Sequence, residues 1–356
     1  MPHAVIVSPN PNATAGGVER MCTLLANVLE QLGLTVTVVG PDRKPALWVS
    51  RLGGGFLESS RIATRVARRH NPDLLITNGY LGLGRARGAP RVHVYHGTMI
   101  SDTISEGDAI PRRERVRRIA GAGVAEALAG RGATVASVSE AAAAEVRRFY
   151  GVRTDAVIPN GVDVTVFRPR PRAEARQHVG LPQDGRYCLF VGRMQRRKGA
   201  DLLVAACREA GYELLIAGAS GAPGARHLGV MDPGSLAQAY CAADCVLFPS
   251  RYEACSYVVL EALASGVPLL TTRVGWMPTF LRGVPEYEAL CVRPEHEDIV
   301  ARLRQLGEID ADELTRKARA FVVEHNSLES YAAHWRELLT RVLPSAAFMG
   351  VAGSWR

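Results

Sequence analysis

Long apolar runs are missing from this 356-residue chain. No stretch reaches the ~18–20 residues that span a bilayer, so no transmembrane helix is expected. The opening Met1-Pro2-His3-Ala4-Val5-Ile6-Val7-Ser8 lacks the basic start and long apolar core of a signal peptide and reads as a strand. Cysteines number seven, an odd count, and none forms a Cys-x-x-Cys pair, so a metal knuckle is unsupported. Cys207, Cys241 and Cys245 fall within apolar patterns, which suits buried free thiols in a reducing cytoplasm. Aromatic residues make up only 6% and do not interleave with the basic ones, which argues against nucleic acid as a partner. There is no Gly-x-x-x-x-Gly-Lys-Ser/Thr loop, so nucleotide triphosphate hydrolysis has no support. No Asp-x-Asp stands at a strand end in the first half. Asp310-Ala311-Asp312 suits a helix start instead, with Asp310 as its cap. No metal and no other cofactor is therefore expected.

What is present fits two domains, because the chain is too long for one ordinary core. Its 47% apolar and 22% charged content are globular values. The formal charge is +8, and part of it is concentrated in Pro111-Arg112-Arg113-Glu114-Arg115-Val116-Arg117-Arg118. That run reads as a solvated helix face, with peripheral contact to an anionic membrane as the sharper alternative.

Short apolar strands alternate with helices through both halves, the pattern of parallel sheets covered on both faces. In the first half, strands are expected at 3–8, 35–39, 74–77, 91–95, 134–138 and 156–158, with a helix over 18–32. In the second half, strands are expected at 187–191, 213–217, 245–248 and 268–271. Helices are expected there at 200–210, 233–241 and 256–264. The division falls at residues 1–163 and 164–327, near the cluster Pro159, Pro169 and Pro171. A terminal helix over 328–342 is expected to cross back to the first domain, and residues after Pro344 to fray. Open α/β sheets bind ligands at strand carboxyl ends, so two such domains facing each other make a cleft.

The residues with chemical content sit at those ends. Gly16-Gly17 opens the first helix, where a bare backbone and a helix N-terminus favour an anion. Arg193 and Lys198 follow a strand, framed by Gly192 and Gly199. Two cations suit a diphosphate; Arg supplies a planar fork and Lys a compact charge. Between them, Arg196 and Arg197 read as mostly solvated. Glu253 falls in a loop and Glu261 on the helix that follows. Glu261 is bracketed by Val258, Val259, Leu260, Ala262 and Leu263, where an ionised carboxylate needs a partner. Two carboxylates suit hydroxyl groups, so the set describes a site for a nucleotide sugar. The plainer reading makes Glu253 a helix cap and Glu261 half of a surface ion pair.

The chain resembles family 4 of the retaining glycosyltransferases, which have the GT-B fold of two Rossmann-like domains. The resemblance rests on Gly16-Gly17-Val18-Glu19-Arg20, Pro159-Asn160-Gly161-Val162-Asp163, Val191-Gly192-Arg193 with Lys198-Gly199, and Phe248-Pro249-Ser250 leading into Glu253 and Glu261. It implies that Arg193 and Lys198 bind the donor diphosphate, Glu261 the ribose and Glu253 the donor sugar. It further implies that the backbone of Cys255, Ser256, Tyr257 and Val258 holds sugar and phosphate oxygens. Gly17 would meet the diphosphate, Val230 and Met231 the base, and His96 the donor sugar. Ala254-Cys255-Ser256 departs from the family's usual Gly-Phe-Gly or Ser-Phe-Gly, which leaves the donor sugar open.

The function expected is metal-independent, retaining transfer from a nucleoside-diphosphate sugar, UDP favoured over GDP, to a hydroxyl acceptor. That acceptor is a small molecule, oligosaccharide or lipid, with antibiotic oligosaccharide assembly favoured. Envelope glycolipid and thiol-precursor synthesis are the alternatives within this activity. The rivals outside it are a sugar-nucleotide epimerase and an inactive nucleotide-sugar binding protein.

Overall fold

The structure is a computed structural model and describes residues 1–10, 16–42, 44, 55–83 and 88–343. Two compact units divide the chain: Met1–Pro159 with Ala332–Arg356, and Asn160–Tyr331.

In the first unit, β1 (His3–Val7), β2 (Thr35–Val39), β3 (Leu74–Asn78), β4 (Arg91–Tyr95), β5 (Thr134–Ser137) and β6 (Ala156–Val157) form one sheet. Their order is β2-β1-β3-β4-β5-β6, and every pairing is parallel. Ala4, Val5, Ile6 and Val7 are all 0% exposed, as a strand covered on both faces requires. The helix Gly17–Gln31 lies against this sheet through Met21, Cys22, Leu25, Val28 and Leu29. Gly33, with φ of 81°, ends that segment and turns the chain into β2.

In the second unit, β7 (Tyr187–Val191), β8 (Glu213–Ala217), β9 (Arg226–Gly229), β10 (Cys245–Phe248) and β11 (Leu269–Thr271) pair in the order β11-β10-β7-β8-β9. These pairings are parallel too. The sequence reading has no counterpart of β9. Its Arg-His-Leu-Gly carries no apolar run, because Arg226 and His227 are exposed at the sheet edge.

Both orders contain a reversal. Strands are added on one side of β1 and then on the other, and likewise around β7. Crevices open at such switch points, between β1 and β3 and between β10 and β7.

The segment that joins the units is tied to the second. Val162 N–H donates to Asn326 O at 2.8 Å, and Asn326 Nδ2 donates to Asn160 O at 3.1 Å. Gly161 packs so closely that a Cβ there would lie 2.7 Å from Tyr331 Cβ. These contacts draw residues 160–163, and the first turn of the helix Leu328–Val342, into the second unit. From Ala332 onward that helix counts with the first unit, and Trp335, Leu338 and Leu339 are buried. The expected fraying after Pro344 and the middle of the loop after β1 lie outside the described residues.

All seven cysteines are free and buried. Among the described residues no helix is long and apolar enough to cross a membrane. The basic run forms the exposed helix Arg112–Arg117 and continues into a π-helical turn, Arg118–Gly123. Glu114 pairs with both Arg117 (2.8 Å) and Arg118 (2.9 Å), and Arg115 pairs with Asp108 (3.1 Å). Much of the run's charge is thus met locally, which suits a solvated face.

Candidate active site

The loops after β7 and β10 flank the switch point of the second sheet. Glycine geometry permits their approach. Gly199 has φ of 73°, and a Cβ there would overlap Pro249 O and stand 2.7 Å from Pro249 Cγ. The 3-10 turn Arg196–Lys198 therefore lies directly beside the loop that follows Phe248. Hydrogen bonds fasten the two: Arg251 N–H donates to Arg197 O at 2.7 Å, and the Arg251 guanidinium reaches Asp201 Oδ1 at 2.7 Å and Oδ2 at 3.0 Å.

Lys198 and Glu253 meet in this junction. Lys198 Nζ donates to Glu253 Oε1 at 2.9 Å and stands 4.9 Å from the centroid of the Phe248 ring. Glu253 is therefore an ion-pair partner and not a helix cap. Arg197 corrects the sequence reading. Expected in solvent, it is 12% exposed, and its Nη1 donates to Glu253 Oε1 at 3.2 Å and to Tyr252 O at 2.9 Å. The fork turns inward because the loop after β10 offers it both a carboxylate and a carbonyl. Arg193 lies earlier in the same loop and is exposed.

Glu261 sits on the helix Tyr257–Ala264 and is 1% exposed, which removes the surface-pair reading. Its Oε2 accepts the Tyr240 hydroxyl at 2.9 Å. Tyr240 is itself fully buried on the helix Pro233–Ala242, where Asp232 caps the N-terminus. Val230 and Met231 precede that cap, and Val230 is 74% exposed.

The helix carrying Glu261 begins at Ser256 with no side-chain cap. The N–H groups of its first turn, from Tyr257 and Val258 on, point the positive end of the helix dipole out of that end. Cys255 is held from behind: its carbonyl accepts Asn160 Nδ2 at 2.7 Å, and burial pushes its thiol up to about 12, so it is no nucleophile at neutral pH. Glu253, Ser256, Phe248, Trp276 and Met277 line a small pocket at this end. Asn160, Arg197, Ser250 and Tyr240 are the residues that sequence reasoning left without a role here.

The first unit carries Gly16, Gly17 and His96. Gly16 has φ of 148° at the start of the helix Gly17–Gln31, again with no side-chain cap. A Cβ on Gly17 would meet nothing within 4 Å among the described residues, so packing does not demand that glycine. His96 follows β4 beside the switch point of its sheet. Asn78 Nδ2 donates to Val7 O at 2.9 Å, which turns its Oδ1 toward His96 Nε2 at 3.0 Å. Nε2 must then carry the proton. Burial pulls His96 down to about 4, so the ring is neutral at pH 7. Nearby, Glu126 accepts Met99 N–H at 2.8 Å and the Tyr150 hydroxyl at 2.5 Å, and burial pushes it up to about 7.

Among the described residues no group of three or more His, Cys, Asp and Glu is placed to hold a metal ion.

Two doubly wound parallel sheets with this topology make the GT-B fold of glycosyltransferases. Solved structures agree on the fold. Sucrose-phosphate synthase from Thermosynechococcus elongatus superposes with a TM-score of 0.78 at 22% identity, over 96% of this chain and 99% of that one. Anabaena HepE, solved with UDP-glucose, gives 0.69 at 17%, over 96% and 100%. The family model for Glycosyltransferase Family 4 matches residues 15–166, and that for Glycosyl transferases group 1 matches 185–309. The D-inositol 3-phosphate glycosyltransferase of Segniliparus rotundus is 34% identical over 218 residues, 54% of this chain and 47% of that protein. Its counterpart in Mycobacteroides abscessus is 31% identical over 280 residues, 71% and 60%. The chain spans about half the length of the curated relatives it matches. It belongs to glycosyltransferase family 4.

Proposed function

We propose that this protein transfers a sugar from a nucleoside-diphosphate donor to a hydroxyl acceptor, with retention and without a metal. The observation that carries the reading is the switch point of the second sheet. There a lysine and a glutamate meet at 2.9 Å beside an uncapped helix N-terminus whose own helix buries a second glutamate. Cations and helix N–H groups match a diphosphate; carboxylates match sugar and ribose hydroxyls.

In this reading Arg193, Lys198 and the first turn of the helix Tyr257–Ala264 stabilise the departing diphosphate, which is electrostatic catalysis by preorganised charge. Glu261 accepts the ribose hydroxyls and Glu253 the donor-sugar hydroxyls. The base rests by Val230 and Met231. The leaving diphosphate takes the acceptor proton on the same sugar face, so configuration is retained. No pair of carboxylates flanking the sugar is needed, unlike in a glycosidase. UDP is the favoured carrier, in keeping with the UDP-glucose bound by Anabaena HepE. Gly16, Gly17 and His96 keep their donor-side roles on the strength of the family pattern.

For the acceptor, the curated relatives shift the balance. They are named for D-inositol 3-phosphate. A small polyol, as in thiol-precursor synthesis, is therefore favoured over an antibiotic oligosaccharide. The test is mass spectrometry of UDP- and GDP-sugar turnover against an acceptor panel that includes D-inositol 3-phosphate, with and without EDTA. Product formation in EDTA, with the donor anomer retained, is the expected result. Acceptor-free epimerisation, binding without turnover, or loss of activity restored only by divalent metal would each overturn it.

A further inference from the structure

Glu253 Oε1 receives three donors: Lys198 Nζ at 2.9 Å, Arg197 Nη1 at 3.2 Å and Ser250 Oγ at 3.2 Å. Their abilities to stay differ. Ser250 has one hydroxyl hydrogen and three acceptors in reach, since Arg197 O and Tyr252 O each lie at 3.1 Å. It is not a dedicated partner of the carboxylate. Lys198 is a compact charge on a flexible stem, and a diphosphate outcompetes one carboxylate for it. Arg197 is tethered by a second bond to Tyr252 O at 2.9 Å, and its side chain is 12% exposed. Its backbone carbonyl is fixed as well, by Arg251 N–H at 2.7 Å. With Nη1 bonded to Tyr252 O as well as to the carboxylate, and its backbone fixed, Arg197 does not follow the phosphate.

We infer that Arg197 is the positioning residue for Glu253: it keeps Oε1 anchored while Lys198 serves the diphosphate, and so leaves Oε2 to the donor sugar. The inference rests on the donor-site reading above. It divides the basic loop by task. Lys198 acts on the phosphates, and Arg197 acts on the sugar through Glu253 without touching either.

The test compares Arg197→Met, Arg197→Lys and Glu253→Gln with the unaltered protein. Calorimetry with UDP reads the phosphate clamp, and acceptor-free release of UDP from UDP-glucose reads the sugar side. Arg197→Met should leave UDP affinity within about two-fold and lower UDP release about ten-fold or more, the scale for a hydrogen bond to a charged group. Arg197→Lys should recover part of the loss. In the Glu253→Gln background, Arg197→Met should add little, because both changes remove one function. If the Met variant does not fold, Arg197→Gln, which removes the charge but keeps a polar side chain, carries the same comparison. Equal loss of UDP affinity and UDP release, undiminished release, or full additivity with Glu253→Gln would overturn the assignment. Failure of the unaltered protein to bind UDP or UDP-glucose would instead sink the donor-site reading, and the role of Arg197 with it.

Discussion

Glu261 offers a test in which folding and binding separate. Its carboxylate is 1% exposed, and Oε2 accepts the hydroxyl of a fully buried Tyr240 at 2.9 Å. Replacing Glu261 by Ala takes this acceptor from a buried hydroxyl, a penalty of about 1–3 kcal/mol. For a unit of this size that lowers the melting temperature by about 2–12 °C. Tyr240→Phe removes the donor instead and should also destabilise, but it leaves the carboxylate in place. The binding effects should diverge. If the carboxylate accepts a ribose hydroxyl, its loss costs about 1.5–3 kcal/mol, or roughly 10- to 150-fold in the UDP dissociation constant. Tyr240→Phe should change that constant by only a few-fold. Glu261→Gln, which conserves shape, should weaken UDP by the larger factor with a smaller loss of stability. Calorimetry with UDP and 2′-deoxy-UDP, alongside thermal denaturation, reads both axes. Discrimination between the two nucleotides should shrink in Glu261→Gln. Unchanged UDP affinity and unchanged discrimination would mean that Glu261 is buried for Tyr240 and has no part in nucleotide recognition.

Lys198→Ala should lower turnover about 10²–10³-fold, the cost of removing one preorganised charge, with a melting temperature within a few degrees of the original; normal turnover would remove Lys198 from the mechanism. Gly275 has φ of 60°, and a Cβ there would overlap Glu253 O and Ala254 O. Gly275→Ala should therefore displace the loop bearing Glu253 and depress transfer more than UDP binding; equal transfer by the Ala variant would show that the loop tolerates the shift. Burial raises Glu126 from 4.5 to about 7, so the folded state binds its proton more tightly than the unfolded chain. The stability this confers is full below about pH 4.5 and is lost as pH rises through about 7, and Glu126→Gln should abolish that loss. Melting temperatures should thus fall for the original relative to the variant between those two pH values and keep a constant offset above them; curves parallel throughout would refute the shift.

Much of the fold is legible because its strands are buried on both faces. Ala4–Val7 and the stretch over 187–191 have no charged interruption, so each stands out against the amphipathic helices around it. The terminal helix over 328–342 is readable for the opposite reason: its apolar residues recur at helical spacing. β9 is not, since an edge strand is specified by its neighbour's free hydrogen-bonding groups and not by its own side chains. The unit boundary also depends on contacts distant in the sequence. Pro159, Pro169 and Pro171 mark a turn-rich segment, but the division falls where Asn160 turns to Cys255, 95 positions away in the sequence.

The site follows the same logic one level up. Lys198 and Glu261 stand out because charged groups between glycines, or inside an apolar helix, conflict with their surroundings unless something uses them, and Glu253 stands out by its family spacing to Glu261. Arg197 raises no such conflict. In the sequence it is the second of three consecutive cations, and a basic loop is ordinarily a solvated one. What distinguishes it is the direction of its side chain. That direction is set by Gly199, whose missing Cβ lets the loop after β10 lie against the turn, and by the Arg251 bond to Arg197 O that fixes the two loops together. Neither constraint is local. A pattern read along the chain identifies the groups that must be paired. Which neighbour does the pairing is decided by the strand order, because β7 and β10 are adjacent in the sheet although β8 and β9 lie between them in the chain.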